Sequence, residues 1–146
     1  MSKSIKIRFR LQEDELGPYP VRVESLWCEL VDGYYKIKNV PMFMLNLAYG
    51  DLVDIEEVGD NEFQITEVIE TSGNSTVWIQ INTERNKIID KLKSLKCQVE
   101  SGAFEELCAI NISEKVEWEP IGKYLDSLDE KNEIVALYAS FNHEEY

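Results

Sequence analysis

The sequence has few of the residues on which catalysis usually depends. It contains one histidine, His143, close to the end of the sequence. A hydrolytic triad needs a base held firmly against a nucleophile, and we expect a side chain so near a chain end to lack a fixed position. The glycines stand alone, so no glycine-rich phosphate loop follows a predicted strand. The sequence therefore predicts a protein that is not an enzyme and that binds no cofactor.

Cysteine is scarce as well. Cys28, Cys97 and Cys108 are odd in number and show no CxxC spacing, which predicts reduced thiols packed in the core of a cytoplasmic protein. No apolar run approaches the length of a membrane span, and the N-terminus lacks the apolar region of a signal peptide. No calcium-loop spacing occurs among the acidic residues, so we expect no metal site.

Basic residues are missing from a long central stretch. No lysine or arginine occurs between Lys38 and Arg85, and the whole chain has 28 acidic against 15 basic residues, a net charge of −13. Nucleic-acid binders neutralise phosphates with clustered lysine and arginine, so nucleic acid and anionic membranes are excluded as partners. Negative charge can serve solubility alone, but it also permits steered association with a basic protein.

Alternating apolar residues predict a β-rich first half. Gly-Asp, Asp-Gly and proline signals separate the segments, and Val40–Tyr49 can be read as a short helix or as a loop. Five short strands with turns at these intervals predict a small, strongly curved β-sheet that forms a small barrel or a half-barrel. The predicted strands are residues 3–12, 21–30, 34–38, 52–57 and 62–70.

The second half changes pattern after the Ser/Gly-rich stretch Thr71–Ser75, which predicts two lobes, 1–73 and 74–146. The predicted order is strand, helix, strand, strand, helix, strand, the ferredoxin-like βαββαβ plan, so the expected fold class is α+β. Asn82 or Thr83 is expected to cap the first helix. The predicted elements are strands 76–81, 98–102, 106–112 and 134–141, the last of them buried, with a helix before 98 and another from 119.

Two tryptophans need separate interpretations. Trp27 lies where both faces of its predicted strand become apolar, so we expect it in the core. Trp78 alternates with the inward Val77 and Ile79, so it faces either the other lobe, which we favour, or solvent. An exposed tryptophan beside an acidic span would be an anchor for a partner protein.

An ordered set of short motifs carries a resemblance to a known family. The chain resembles the bacterial domain-of-unknown-function family DUF4265 over roughly residues 5–115. The resemblance implies a bacterial cytosolic protein of mixed α and β structure, and it brings no catalytic residues. By type, as a small acidic bacterial protein, the chain is also similar to immunity proteins that neutralise secreted toxins. The motifs are Glu24-Ser25-Leu26-Trp27, Gly33-Tyr34-Tyr35, Asn39-Val40-Pro41-Met42-Phe43, Gly50-Asp51-Leu52-Val53 and Ser72-Gly73-Asn74-Ser75.

These observations lead to one main hypothesis and two rivals. The main hypothesis is an acidic, non-enzymatic immunity or antitoxin-like protein, a monomer or weak dimer, that covers the basic active site of a toxin, with a nuclease as the expected class. The rivals are a sensor that binds a metabolite at the ferredoxin-like lobe and an enzyme that uses carboxylates alone. The residues predicted to bind the partner are Asp51, Asp54, Glu56, Glu57, Asp60, Glu62 and Trp78.

Overall fold

The computed structural model describes residues 3–102 and 104–144. Two compact units divide the chain, Met1–Ser72 and Gly73–Tyr146. The first is built on a five-stranded sheet and the second on a four-stranded sheet with two α-helices, which confirms the expected α+β class. No helix in the described part of the chain is long and apolar enough to cross a membrane.

The first unit is a closed five-stranded barrel. Strands that follow one another in the chain pair antiparallel, and the barrel closes where the first and last strands meet in parallel at Phe9 and Phe63. Of the alternatives that the sequence left open, a curved sheet, a half-barrel or a small barrel, the structure has the small barrel. Its strands are β1 Ser4–Arg10, β2 Val23–Val31, β3 Tyr34–Ile37, β4 Leu52–Gly59 and β5 Glu62–Glu70, with a 3-10 turn at Glu13–Glu15.

Alternation along β2 decides which side chains fill the barrel. Leu26 and Cys28 are buried, whereas Trp27 between them points outward and is 46% exposed. The expectation that Trp27 belongs to the core was therefore wrong, because successive side chains of a strand point to opposite faces. The Lys6 ammonium lies 5.8 Å from the centroid of the Trp27 ring, so a cation–π contact covers part of this exposed side chain.

The segment between β3 and β4 is a loop rather than a helix. The carboxylate of Glu24 accepts three consecutive backbone N–H groups, those of residues 42–44, at 2.7, 2.9 and 3.2 Å. The Glu15 carboxylate accepts the Leu45 N–H at 2.8 Å. These donors have carboxylate partners, so the segment satisfies its backbone without a helical turn.

The second unit packs both of its helices on one sheet. All of its strand pairs are antiparallel, and the strand order is β7-β8-β6-β9. Val77, Ile79 and Ile81 are buried against the apolar stripes of the two helices, as predicted. The elements are β6 Ser75–Ile81, α1 Arg85–Ser94, β7 Gln98–Ser101, β8 Leu107–Ile112, α2 Trp118–Glu130 and β9 Ile134–Ser140.

Two local predictions for this unit were wrong. The residue that precedes α1 is Glu84, not Asn82 or Thr83. The Asn82 N–H instead donates to the Glu133 carbonyl at 2.8 Å, which prolongs the ladder between β6 and β9. The last strand is only half-buried, because β9 lies at an edge of the sheet and exposes Val135 among other apolar side chains.

The three cysteines are free and buried, as predicted. Cys28 lies in the core of the barrel, and Cys97 and Cys108 lie in the core of the second unit. Burial raises the pKa of Cys28 and of Cys97 to about 12, so both are held as thiols at neutral pH. Their role in this structure is packing.

Candidate functional site

The carboxylates predicted to bind a partner lie mainly on the hairpin formed by β4 and β5. Val53 pairs with Val68 toward the barrel interior, so the next pair along the ladder, Asp54 and Glu67, points outward. Two carboxylates thus stand directly opposite each other on adjacent strands. The hairpin turns tightly at Asn61, whose φ of 57° lies in the left-handed region that asparagine tolerates.

The ladder of this hairpin is irregular. The register between β4 and β5 shifts at three places, which leaves Thr66 and Ile69 as extra residues on β5 and Val58 as an extra residue on β4. β-Bulges increase the local twist of a strand pair and change the direction in which side chains point. They occur here beside the outward-facing carboxylates of Asp54 and Glu67.

Glu62 is neutralised inside the barrel unit. Its carboxylate pairs with Arg10, with 2.8 Å between Arg10 Nε and Glu62 Oε1, and with Arg8 at 3.8 Å. Arg10 also donates through Nη1 to the Val58 carbonyl at 3.3 Å. These contacts join β1 to the β4–β5 turn where the barrel closes. Glu62 therefore has a structural partner already, and its role in binding a partner protein stays a prediction.

Asp51 is buried rather than presented at the surface. It is 1% exposed. Its Oδ2 accepts the Ala48 N–H and its Oδ1 accepts the Ser72 N–H, both at 2.9 Å. Both oxygens thus hold backbone segments together, so the prediction that Asp51 binds a partner was wrong. The Gly-Asp turn before β4 was the available signal, because aspartate in a turn commonly caps neighbouring backbone N–H groups.

The remaining carboxylates form what we call the acidic hairpin. Within residues 3–102 and 104–144 no lysine or arginine forms an ion pair with any of them. The Glu57 carboxylate makes one long hydrogen bond, from the Asn61 N–H at 3.3 Å. Two of them, Glu67 and Glu70 on β5, were not among the predicted partner-binding residues. The register between β4 and β5 places them on this hairpin. The acidic hairpin consists of Asp54, Glu56, Glu57, Asp60, Glu67 and Glu70.

Trp78 belongs to the second unit, whereas the acidic hairpin belongs to the first. It is half-buried on β6, where its register partners are Ala109 on β8 and Leu137 on β9. Its side chain lies on the sheet face opposite to Val77 and Ile79, as alternation predicts. Its role as an anchor for a partner stays a prediction.

His143 is held firmly, contrary to the expectation for a residue so near the chain end. Its Nδ1 lies 2.6 Å from the Ser75 hydroxyl oxygen, and its Nε2 lies 2.8 Å from the Ser113 carbonyl oxygen. A carbonyl can only accept, so Nε2 donates to the Ser113 oxygen, while Nδ1 and the Ser75 hydroxyl form the second hydrogen bond. Ser75 is fully buried, and its oxygen also accepts the Asn142 N–H. The serine–histidine pair therefore ties residues 142 and 143 to β6.

A shallow groove of about 540 Å³ lies beside this network in the second unit. It begins at Gly73, follows the segment from Glu114 to Glu119 at the start of α2, and ends at residues 142–144. Its lining includes four glutamates, so it favours a cationic ligand over an anionic one. In the described part of the chain, no three histidine, cysteine, aspartate or glutamate side chains are grouped so that they could hold a metal ion.

A family model described as Domain of unknown function (DUF4265) matches residues 24–136. The chain belongs to the DUF4265 family. This confirms the resemblance seen in the sequence motifs. The DUF4265 chain also shares its fold with the structure titled "Novel crystal structure of a hypothetical protein from Neisseria gonorrhoeae", with a TM-score of 0.72, 19% identity, and coverage of 99% of this chain and 98% of that chain. No curated protein matches the sequence.

Proposed function

We propose that this DUF4265 protein is a non-enzymatic binding protein that captures a basic partner protein on its acidic hairpin. The proposal places it among immunity or antitoxin-like proteins of the bacterial cytoplasm, with a basic toxin as the partner. The single observation that carries the proposal is the register pair Asp54 and Glu67, two outward carboxylates that face each other without a cation of the described chain between them.

The opposed carboxylates of Asp54 and Glu67 lower the stability of the free protein. Like charges directly opposite each other on adjacent strands are destabilising by up to about 1 kcal/mol. The same chain places Arg8 and Arg10 against Glu62, so it can supply cations to a carboxylate of this hairpin where the fold needs them. Carboxylates left without a cation are those that a basic partner can neutralise on binding.

A toxin nuclease is the partner class that fits this chemistry. A nuclease has to display cations to hold the phosphates of its substrate, so an array of carboxylates can occupy the same cleft as a competitor. Carboxylates buried in the contact would slow dissociation, and those at its rim would speed association. Both effects require negative charge on a firm support, and the paired strands of the barrel provide one.

Charge neutralisation on the hairpin tests this proposal. The test variant is Asp54→Asn/Glu56→Gln, and the control is Asp90→Asn/Glu105→Gln, which removes the same charge from exposed positions of the second unit. Each protein is used as bait in an extract of the source bacterium, and captured partners are identified and assayed for nuclease activity. Association rates with the purified partner are then measured at low and high salt.

The expected partner is a basic protein whose association slows by at least about tenfold between low and physiological salt. The hairpin variant should bind it more weakly, the control should bind it like the wild type, and the wild type should inhibit its nuclease activity. Recovery of no basic partner, or binding that is indifferent both to salt and to the hairpin substitutions, would remove the proposal.

A second candidate function is a metabolite sensor. The order βαββαβ with strands arranged β7-β8-β6-β9 supports a ferredoxin-like assignment for the second unit, and the groove from Glu114 to Glu119 favours a cationic small molecule. Thermal shift against a panel of amines tests it, since a ligand bound at 100 times its Kd adds about 2.7 kcal/mol of stability. A rise in Tm that Glu117→Gln abolishes would favour this candidate. The absence of a rise in Tm with every amine would rule it out.

A further inference from the structure

The last strand of the second unit leaves one of its edges without a partner strand. In the four-stranded sheet β9 is hydrogen-bonded to β6 on one side, and no strand of the described chain lies on its other side. The Asn82 N–H donates to the backbone carbonyl of Glu133, so the backbone hydrogen-bonding groups of Glu133 point toward β6. Backbone direction alternates along a strand, so the N–H and C=O groups of Ile134, Ala136 and Tyr138 point away from β6.

This edge has no protecting charge or proline, and the irregularity of its ladder with β6 is a β-bulge at Ala139, near the end of the strand. Edge strands normally carry lysines, prolines or inward-pointing charges that prevent a foreign strand from pairing with them. The seven residues of Ile134–Ser140 include no charged residue and no proline. Val135 is 58% exposed, Leu137 is 49% exposed and Tyr138 is 46% exposed. Unpaired backbone groups and exposed apolar side chains thus occur together on one strand.

The charges around the edge indicate what it can bind. Between Asp126 and Glu144 the sequence has five acidic residues and one basic residue, Lys131. Burial raises the pKa of the Tyr138 hydroxyl, and the charges of Asp126 and Asp129 raise it further, so both carboxylates act on this end of the strand. A second copy of the chain would bring the same carboxylates against them, whereas a basic segment would neutralise them.

We propose that the free edge of β9 accepts an extended basic segment of a partner protein as an added antiparallel or parallel strand. Main-chain hydrogen bonds from Ile134, Ala136 and Tyr138 supply the pairing. Val135 and Leu137 contact alternate apolar residues of the segment, and its lysines or arginines lie near Asp129. This surface belongs to the second unit and does not depend on the acidic hairpin.

A synthetic peptide tests the proposal with the full chain. The probe is a capped seven-residue peptide of alternating lysine and valine, and the reference peptide has glutamate in place of lysine. Binding to the isotope-labelled protein is followed by amide chemical shifts and hydrogen exchange. The lysine peptide should shift the β9 resonances and slow exchange at Ile134, Ala136 and Tyr138 by at least about tenfold. The glutamate peptide should do neither.

Two leucines of nearly equal exposure provide the matched variants. Leu137→Lys places a positive charge on β9 and should weaken binding of the lysine peptide by at least about tenfold. Leu30→Lys adds the same charge to β2, where the leucine is 47% exposed, and should bind like the wild type. The hairpin variant Asp54→Asn/Glu56→Gln should also keep its affinity, which separates this proposal from the proposed function.

Three outcomes would overturn the proposal. The first is the absence of shifts at β9 with the lysine peptide. The second is equal binding of the glutamate peptide, which would leave no role for the acidic surroundings. The third is a dimer in sedimentation experiments whose β9 amides are protected without any peptide, because a second copy of the chain would then occupy the edge.

Discussion

Replacing Glu67 by glutamine should make the free protein more stable. Asp54 and Glu67 are register partners on β4 and β5, and their Cβ atoms are expected about 5 Å apart. Two unit charges at about 5 Å in water repel by about 0.8 kcal/mol, within the range of about 0.2–1 kcal/mol observed for cross-strand pairs. Glu67→Gln removes this repulsion and keeps the side-chain shape. We therefore expect the free energy of unfolding to rise by that amount.

Urea denaturation at 25 °C measures the change directly. In a chain of this size about 1 kcal/mol corresponds to about 2–4 °C in Tm, so thermal melts provide a second measurement. The gain should shrink in 1 M salt, because the screening length falls from about 10 Å at 0.1 M to about 3 Å. The same variant should bind a basic partner more weakly, so stability and binding change in opposite directions.

Glu56→Gln is the matched control for this prediction. Glu56 pairs with the neutral Gln64, so the substitution removes one negative charge from the same hairpin without relieving an opposed pair. Its gain in stability should be smaller than that of Glu67→Gln. A loss of stability in Glu67→Gln, a gain that survives high salt, or an equal gain in both variants would refute the reasoning from the opposed pair.

Three further predictions concern the barrel and the thiols. Leu26→Ala should cost about 2–5 kcal/mol in urea denaturation, because Leu26 is buried in the core, whereas Trp27→Ala, at an exposed position, should cost about 1 kcal/mol or less. Cys28 and Cys97, with pKa values raised to about 12, should not react with a chromogenic thiol reagent at pH 8 until the protein unfolds, and rapid labelling of the native protein would contradict their burial. Burial raises the pKa of Glu24 above its ordinary value of 4.5, so the folded state binds this proton more tightly than the unfolded state. Stability relative to Glu24→Gln should therefore rise as the pH falls from neutral through the folded-state pKa, reaching its full value below 4.5; urea denaturation across this range would contradict the assignment if the difference stayed constant.

The sequence predicted elements whose signals are local. Period-two alternation placed the strands of the barrel to within a few residues, and the stripe of Ile121, Leu125 and Leu128 identified α2. These patterns succeed because a strand or a helix has to turn its apolar side chains toward one core. These patterns could not decide between a closed barrel and a half-barrel, since closure depends on Phe9 pairing with Phe63 across the whole first unit.

The errors concern residues whose surroundings are not local. Trp27 stands in an apolar run with two apolar faces, so alternation alone could not say which face is inside. The partner of Glu62 is Arg10, more than fifty positions earlier in the chain, and only barrel closure brings them together. Asp51 was predicted to be an exposed acidic residue, although its oxygens accept hydrogen bonds from the backbone of Ala48 and Ser72.

The carboxylates of the first unit therefore differ in what they do, and net charge alone does not distinguish them. Glu24 and Asp51 bind backbone N–H groups, so the fold itself depends on their oxygens. Glu62 is neutralised by arginines where the barrel closes. Asp54 and Glu67 have no ion pair within residues 3–102 and 104–144, and their opposition lowers stability. Among the acids of the first unit, the proposed binding function therefore rests on the acidic hairpin, because neutralising its carboxylates breaks no ion pair among the described residues.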